Sequence, residues 1–307
     1  RMDAVKDYFI DSWETLKGRN ISEDDQEMLQ MKFDKMYTTK DIYTIYNWML
    51  DDCDCDLLPE VPYEKRKLPY EDVFPMLYLK YRLSGGNSTH KNIKHLVIDE
   101  MQDYTYLQYT ILESLFHCRM TILGDRAQTL DTKQQDVLRF LPKLLGREIR
   151  TIEIKKSYRN TLEIARYAEK VSGVSDLELL DRHGKEVVEK TFNTDTELLD
   201  ELVCHLKCPG DFETAALITT TEEEAFDLSR LLKLRGINVS YVDRNSSAFK
   251  KGLTVTTFYL AKGLEFDQVF ALRGAKENPL KNQAEYICAT RALHELYVYE
   301  IDDSLSK

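Results

Sequence analysis

Hydrophobic and polar positions alternate along this chain with two different periods, which predict different elements. Residues 1–60 place apolar side chains at helical spacing among many acidic ones, which predicts helices with polar outer faces. The amphipathic stretch Tyr70–Leu83 predicts a further helix, ended by Gly85 and Gly86. Three prolines and a basic run between residues 59 and 69 are typical of a linker.

Beyond residue 90 the pattern is that of short strands separated by helices. Apolar runs at 94–98 and 120–124 enclose a helical stretch at 105–116, and this alternation predicts a parallel sheet. The pattern restarts near residue 148, where we place a domain boundary. After it we predict strands at 149–154, 215–219, 239–242, 253–258, 268–272 and 295–301, with helices at 161–171, 221–234 and 281–293.

The bulk properties restrict the class of protein. With 307 residues the chain is long enough for two domains. It has no apolar run long enough to cross a bilayer, and its six cysteines lack the spacing of a disulfide framework. We therefore expect reduced thiols, a cytoplasmic location and no membrane partner. A net charge of −11 argues against a broad phosphate-binding surface.

The segment HLVIDEMQDYT, residues 95–105, carries the clearest chemical signal. An apolar strand ends in Asp99 and Glu100, and Gln102 and Asp103 follow. Burying unpaired charges is costly, so these carboxylates belong at the carboxyl end of the strand, where open α/β sheets bind ligands. There one carboxylate can hold Mg²⁺ while its neighbour polarises a water for attack on a phosphate.

Four further motifs follow at the ends of predicted strands. In TILGDRAQ the last residue, Gln128, can bind both an attacking water and a γ-phosphate. KKSYRN sets the flat ring of Tyr158 beside Arg159, which suits purine stacking with a phosphate contact. TTFYLAKGLEFD comes next, and YICATRA then places Arg291 on a helix after small residues, as a candidate arginine finger.

In this order the motifs resemble those of UvrD/Rep-type superfamily 1 helicases, over roughly residues 70–305. DEMQD resembles the Walker B motif of that family and LGDRAQ its motif III. KSYRN, TFYLAKGLEFD and YICATRA resemble motifs IV, V and VI. The resemblance implies an α/β fold with two RecA-like parallel-sheet units and ATP in the cleft between them. Residues 1–69 would be a helical segment and linker within an insertion, 70–148 an incomplete first unit, and 149–307 the second.

The resemblance also implies a role for each matched residue, with ATP and Mg²⁺ as cofactors. Asp99 would coordinate Mg²⁺, Glu100 would activate the hydrolytic water, and Gln128 would sense the γ-phosphate. Tyr158 would stack on adenine, and Arg159 and Arg291 would neutralise charge on the transferred phosphoryl group. The remaining matches are Gly263 and Glu265 at the ribose or phosphates, and Gln102, Asp103 and Thr257 in coupling or nucleic-acid contact.

Several of these residues also have a purely structural interpretation. Tyr158 and Phe266 could be core aromatics. Asp103 could cap the following helix, and Arg291 could form a surface ion pair. Gly263 could simply allow a turn.

Two departures from the family pattern affect the functional prediction. No segment fits G-x-x-x-x-G-K-S/T, the loop that cradles phosphates and precedes the Walker B strand in this family. We therefore expect a C-terminal motor portion whose first partner is an N-terminal part of the same protein, and which alone neither hydrolyses ATP appreciably nor unwinds nucleic acid. Residues 129–135 also lack the aromatics that stack on single-stranded bases, and Tyr259 stands where a histidine is usual.

These departures, with LPYEDVFPMLYLKYRL at 68–83, look most like the HelD branch, which resembles helicase IV and acts on RNA polymerase. The expected function is ATP-driven remodelling of nucleic acid, DNA in particular, or of RNA polymerase complexes. An acidic chain suits a partner with a basic channel. Two alternatives stay open: an ordinary 3′→5′ UvrD/Rep DNA helicase of repair or replication, and a non-catalytic interaction module that keeps the fold.

Overall fold

The structure, a computed structural model, describes residues 2–18, 20–37, 41–83, 90, 92–130, 136–146, 149–174, 177–207, 212–246, 251–274 and 278–302. The chain divides into two compact units. The first comprises Arg1–Leu96 and Thr105–Arg119, and the second comprises Val97–Tyr104 and Met120–Lys307. Every site residue predicted from the sequence lies in the second unit.

The first unit is helical. Its helices are α1 (Met2–Lys17), α2 (Glu23–Tyr37), α3 (Ile42–Asp52), α4 (Tyr70–Leu83) and α5 (Tyr106–Leu115). Helix α4 confirms the prediction at 70–83, whereas the predicted stop at Gly85 and Gly86 lies outside the described residues. Tyr46 on α3 is buried, and its hydroxyl donates to Asp72 of α4 at 2.7 Å. That bond satisfies a polar group inside an otherwise apolar contact.

Two short strands precede the main sheet. Strands β1 (His95–Ile98) and β2 (Arg119–Ile122) form a two-stranded sheet and confirm the predictions at 94–98 and 120–124. Single 3₁₀ turns follow them, at Met101–Asp103 and at Arg126–Gln128. Helix α6 (Val137–Leu145) comes next. The acidic motif and the glutamine-bearing motif therefore each lie in a turn directly after a strand.

The second unit is built on a six-stranded parallel sheet. Short strands β3 (Lys156–Ser157) and β4 (Glu178–Leu179) pair separately. The main strands are β5 (Val188–Phe192), β6 (Thr214–Thr219), β7 (Ser240–Tyr241), β8 (Gly252–Thr257), β9 (Phe266–Arg273) and β10 (Ala292–Ile301), in the order β5-β10-β9-β6-β8-β7. The helices are α7 (Leu162–Ser172), α8 (Asp195–Lys207), α9 (Glu222–Leu234) and α10 (Lys281–Arg291). This arrangement confirms the predicted α/β class with a parallel sheet.

Helices cover both faces of this sheet. On β6, Ile218 packs in the same cluster as Ile164 of α7 and Ile287 of α10. The adjacent Leu217 packs in a second cluster that includes residues of α8 and α9. Because successive strand side chains point to opposite faces, the near-continuous apolar strands bury both sides. None of the helices in the described part of the chain combines the length and apolarity needed to span a bilayer.

The predicted strand at 149–154 is wrong. The chain at residues 149–155 is not part of any sheet, and the side chains of Ile152 and Ile154 are 70% and 80% exposed. Alternation of isoleucine with charged residues satisfies the strand pattern, but a strand also needs a hydrogen-bonding neighbour. Pairing begins only at β3.

Candidate functional site

The carboxyl end of β1 is a strained acidic turn. Ile98 is buried, and the chain turns at Glu100, which has left-handed backbone angles of φ 53° and ψ 47°. A carboxylate oxygen of Asp99 accepts a hydrogen bond from the Glu100 amide at 2.8 Å. A left-handed non-glycine residue costs about 1 kcal/mol or more, and such strain clusters at functional sites. The turn holds both carboxylates at the strand end.

A chain of hydrogen bonds connects this acidic turn to the glutamine motif. The Gln102 side-chain amide donates to Glu100 Oε2 at 2.6 Å, and its oxygen accepts from the Asp125 amide N–H at 3.1 Å. Asp125 in turn accepts from Gln128 Nε2 at 2.8 Å. Gln102 and Gln128 are both buried. The predicted coupling residue therefore touches the predicted base on one side and motif III on the other.

Gly124 makes this connection possible, a role that the sequence pattern did not predict. A Cβ at this position would lie 2.4 Å from Gln102 Oε1 and 2.7 Å from the Met101 main-chain nitrogen. Both distances are shorter than a van der Waals contact, so a side chain here would displace the turn. In the sequence, the position of this glycine directly before Asp125 is the only indication of such close packing.

Lys262 is a second residue whose role the sequence did not reveal. Its side chain is 7% exposed, and Nζ pairs with Asp103, approaches Glu100 Oε2 at 3.5 Å and donates to the Gln128 carbonyl at 2.9 Å. It thereby joins motif V to motifs II and III. Asp103 is committed to this ion pair, and the N-cap of α5 is Thr105, so the capping interpretation of Asp103 is not supported.

Arg291, the last residue of α10, is a buried cation at the other end of the network. It is 3% exposed, and its guanidinium donates to Gln128 Oε1 at 3.2 Å, the Leu264 carbonyl at 3.2 Å and Thr290 Oγ1 at 3.1 Å. Its Nε has no hydrogen-bond partner, and no carboxylate forms an ion pair with it within the described part of the chain. Burial, and then repulsion from Arg159, lower the pKa of Arg291, and the charges of Glu100 and Glu265 offset this only in part. A buried charge without a direct ion pair favours binding of an anion.

Arg159 and Glu265 form an ion pair at the edge of the same network. Arg159 Nε lies 2.7 Å from Glu265 Oε1, and both side chains are about half exposed. Tyr158 is 62% exposed, which does not fit a core aromatic and leaves its ring face accessible. Gly263 has a φ of +81°, the left-handed region that favours glycine.

Tyr286 connects α10 back to the glutamine motif. Its hydroxyl donates to Asp125 Oδ2 at 2.8 Å, and burial, followed by the nearby Asp125 charge, raises the pKa of Tyr286. Thr257, at the end of β8, is 1% exposed and its hydroxyl makes no hydrogen bond among the described residues. The structure therefore does not connect Thr257 with the network.

The acidic turn fits the way Mg²⁺ is usually held. The described residues contain no cluster of three or more histidine, cysteine or carboxylate side chains suited to a metal ion. Mg²⁺ at phosphate sites usually takes one or two carboxylates, and water and phosphate oxygens supply the other ligands. The exposed Asp99 carboxylate next to Glu100 meets that smaller requirement.

Comparison with known proteins gives only distant similarities. No protein-family model and no curated protein matches the chain. The C-terminal domain of a possible DNA helicase from Lactobacillus plantarum WCFS1 is 25% identical with a TM-score of 0.38, covering 47% of this chain and 88% of its own. Arterivirus nonstructural protein 10, a helicase solved with DNA, is 15% identical with a TM-score of 0.41, covering 70% and 41%. The PRRSV helicase is 17% identical with a TM-score of 0.40, covering 86% and 46%.

The chain thus spans less than half the length of either viral helicase. All three TM-scores lie below 0.5, so these likenesses add no weight to a functional conclusion.

Proposed function

We propose that this chain is the motor portion of an ATP-dependent superfamily 1 helicase-like protein of the UvrD/Rep type, with HelD as its nearest branch. In it, nucleoside triphosphate hydrolysis would drive remodelling of nucleic acid or RNA polymerase complexes. The buried Arg291, which forms no direct ion pair among the described residues, carries the proposal, because a triphosphate is an anion that would complete this site.

The ordered motifs support the same proposal because their side chains form one hydrogen-bonded network. Glu100, Gln102, Asp125, Gln128 and Arg291 follow one another through direct contacts. One of these contacts, between Gln128 and Arg291, joins residues 163 positions apart in the chain. We further propose that motifs II and III belong to a first RecA-like domain ending near residue 148, and motifs IV to VI to a second.

Most of the predicted site residues would have a direct role in phosphoryl transfer or nucleotide binding. Asp99 would hold Mg²⁺, which supplies charge neutralisation on the phosphates when bound. Glu100 would accept a proton from the attacking water, and Gln128 would orient that water. Arg159 and Arg291 would stabilise charge that develops on the phosphoryl oxygens. In addition, Tyr158 would stack on adenine, and Gly263 and Glu265 would contact the ribose or the phosphates.

Nucleotide binding by this chain tests the proposal. We expect Mg·ATP to bind in isothermal titration calorimetry, and Arg291→Met to weaken binding at least about tenfold because a charged hydrogen-bond donor is lost. Arg230→Met is a matched control: Arg230 lies on α9, is exposed, and pairs with Asp227 at 3.5 Å. Its binding should equal that of the wild type. A wild-type chain that gives no binding heat, or an Arg291→Met variant that binds normally, would refute the proposal.

The acidic composition favours RNA polymerase over naked DNA as the partner, because a net charge of −11 repels a phosphate backbone. The surroundings of Tyr259 do not decide between the two. Its hydroxyl donates to Glu222 at 2.9 Å, and Arg244, which pairs with Glu222 at 2.7 Å, offsets the charge of that carboxylate. The ordinary DNA helicase remains the alternative function. A non-catalytic interaction module would have no physical need for the Asp99–Glu100 turn or for Arg291.

A further inference from the structure

Two arginines of like charge share the site. Arg159 is close enough to Arg291 to disfavour its charged form. Their side chains reach two adjacent residues, because Arg159 pairs with Glu265 and Arg291 donates to the Leu264 carbonyl. One arginine follows β3 and the other ends α10, and contacts between the main chains of these two segments also fix their spacing.

Arg182 makes such a contact. A single terminal nitrogen, Nη2, donates to the main-chain carbonyl of Arg159 at 2.5 Å and to that of Leu293 at 2.9 Å. Leu293 lies two residues after Arg291. A guanidinium is planar and rigid, so donating to both carbonyls fixes the spacing of the two segments more tightly than a lysine could.

Asn160 makes a second contact between the same two segments. Its side chain is buried, and Nδ2 donates to the carbonyls of Ala289 at 3.3 Å and Ala292 at 2.5 Å. Asn160 follows Arg159 directly, and Ala292 follows Arg291. The side chains of Arg182 and Asn160 therefore both connect the main-chain segments that carry Arg159 and Arg291.

The loop that carries Arg182 is itself fixed to the start of α7. The carbonyl of Arg182 accepts from the Leu162 amide at 2.9 Å. The carboxylate of Glu163 accepts from the Gly184 amide at 2.8 Å and pairs with His183 at 2.8 Å. The pairing with His183 and the backbone hydrogen bonds lower the pKa of Glu163 to about 2. A Cβ on Gly184 would lie 2.5 Å from Thr161 Cγ2, so the loop also packs closely there.

We propose that Arg182 is a positioning residue, which clamps the main chains of Arg159 and Leu293 so that Arg159 and Arg291 meet one triphosphate together. Arg182 lies outside the motifs, and its sequence context gives it no role. The inference rests on the proposed function, because it assumes that the two arginines bind phosphate. It adds that their spacing is set by a third arginine that touches neither the nucleotide nor a catalytic side chain.

The preference for ATP over ADP tests this inference. Two arginines that converge on the terminal phosphate favour the triphosphate, and loosening their spacing should reduce that preference. We expect Arg182→Met to lower the ratio of the Kd for Mg·ADP to the Kd for Mg·ATP by about tenfold, since small misplacements of binding groups cost about that much or more. Arg182→Lys keeps the charge but loses the planar donor, and should lower the ratio in the same direction.

The ratio of the two Kd values distinguishes a positioning role of Arg182 from a general loss of structure. Partial unfolding reduces the competent fraction for both nucleotides equally and leaves the ratio unchanged. Arg230→Met, which changes an exposed side chain of α9, is the control and should keep the wild-type ratio. If Arg182 acts through Arg159, then Arg182→Met should change the ratio little when it is added to Arg159→Met.

Failure of the inference can be told apart from failure of the proposed function. If the wild-type chain binds neither nucleotide, the proposed function is rejected and the inference with it. If the wild type prefers ATP and both Arg182 variants keep that preference, only the clamp is rejected. Hydrogen exchange provides a nucleotide-free measurement: amides near 158–161 and 290–294 should exchange faster in Arg182→Lys, and unchanged exchange there would also reject the clamp.

Discussion

Single buried polar atoms decide the geometry of this site. The Gln102 side chain is the clearest case, because its amide nitrogen faces Glu100 while its oxygen faces the Asp125 amide. Only an amide offers a donor and an acceptor in this arrangement. Gln102 therefore holds two motifs in register with one functional group.

Replacing the side-chain amide nitrogen of Gln102 by oxygen should destabilise the folded protein. We expect Gln102→Glu to lower the free energy of unfolding by about 1–3 kcal/mol at pH 7, because a buried donor is lost and a second carboxylate faces Glu100. The shared site raises the folded-state pKa of one carboxylate above its unfolded value of about 4.3. The Gln102→Glu variant then keeps its stability at low pH and loses it as pH rises through the raised pKa. Its deficit in unfolding free energy relative to the wild type should therefore shrink toward pH 4.

The same substitution on α5 provides the control for this experiment. Gln108 accepts from the Thr105 amide at 2.6 Å in an exposed capping box, where glutamate serves equally well. Urea denaturation at pH 7 and pH 4 should therefore show no effect of Gln108→Glu. An equal stability loss in both variants, or a Gln102→Glu deficit independent of pH, would contradict the explanation.

The chemistry of the site was easier to predict than its supports. Asp99, Glu100, Gln128 and Arg291 stand in motifs whose residue types match a phosphate reaction, and the structure links Glu100, Gln128 and Arg291 in one network. Asn160 and Arg182 bond to main-chain carbonyls far away in the chain, and Lys262 bonds to one in addition to its ion pair with Asp103. Any residue type supplies a carbonyl, so such contacts leave no trace in the pattern.

At the scale of elements, one arginine ties α10 to the sheet. Arg273 ends β9 and pairs with Glu285 of α10 at 2.8 Å, with Glu300 of β10 at 2.9 Å and with Glu189 of β5 at 3.2 Å. Since α10 also carries Tyr286 and Arg291, this cluster of four side chains fixes the helix on which the site depends.

Removing the central cation should destabilise the second unit. We expect Arg273→Met to lower the free energy of unfolding by about 3 kcal/mol, because Glu285 is largely buried and would lose its partner. Arg235→Met is the matched control, since Arg235 and Asp200 form an exposed pair that should contribute less than about 1 kcal/mol. Denaturation curves monitored by circular dichroism measure both. Similar losses in the two variants would show that the Arg273 cluster stabilises the protein no more than an exposed ion pair does.

Elements were predictable where burial alone sets the pattern. Strands β6, β9 and β10 are largely apolar and β8 alternates with buried threonines, and the predictions at 215–219, 253–258, 268–272 and 295–301 are confirmed. Strand β5, Val188–Phe192, is an edge strand with three exposed polar residues, so its sequence carries no strand signal. The wrong prediction at 149–154 has the opposite cause: a strand pattern without a neighbouring strand.

For the molecule as a whole, net charge should limit affinity for free nucleic acid. With a net charge of −11, we expect this chain to bind single-stranded dT20 only weakly at 150 mM salt, near the about 10⁻⁴ to 10⁻⁶ M range of non-specific binding. The dependence of affinity on salt should be shallow, because few phosphates are neutralised. Fluorescence anisotropy across a salt series measures both quantities.

A parallel pull-down with core RNA polymerase at the same salt provides the comparison. Retention by polymerase with weak DNA binding is the expected result. Tight binding to dT20 with a steep salt slope would instead favour the UvrD/Rep DNA helicase alternative, and would show that folding gathers the scattered lysines and arginines into one groove.

The ion pair between Asp103 and Lys262 also sets the order in which the protein can mature on the ribosome. The two residues are 159 positions apart, and Arg291 is made later still. At about 5–20 residues per second, roughly ten to thirty seconds pass between synthesis of the acidic turn and synthesis of its lysine. During that interval Asp99, Glu100 and Asp103 emerge as a cluster of negative charge without its cation. The nascent chain therefore cannot assemble this site until Arg291 has been translated.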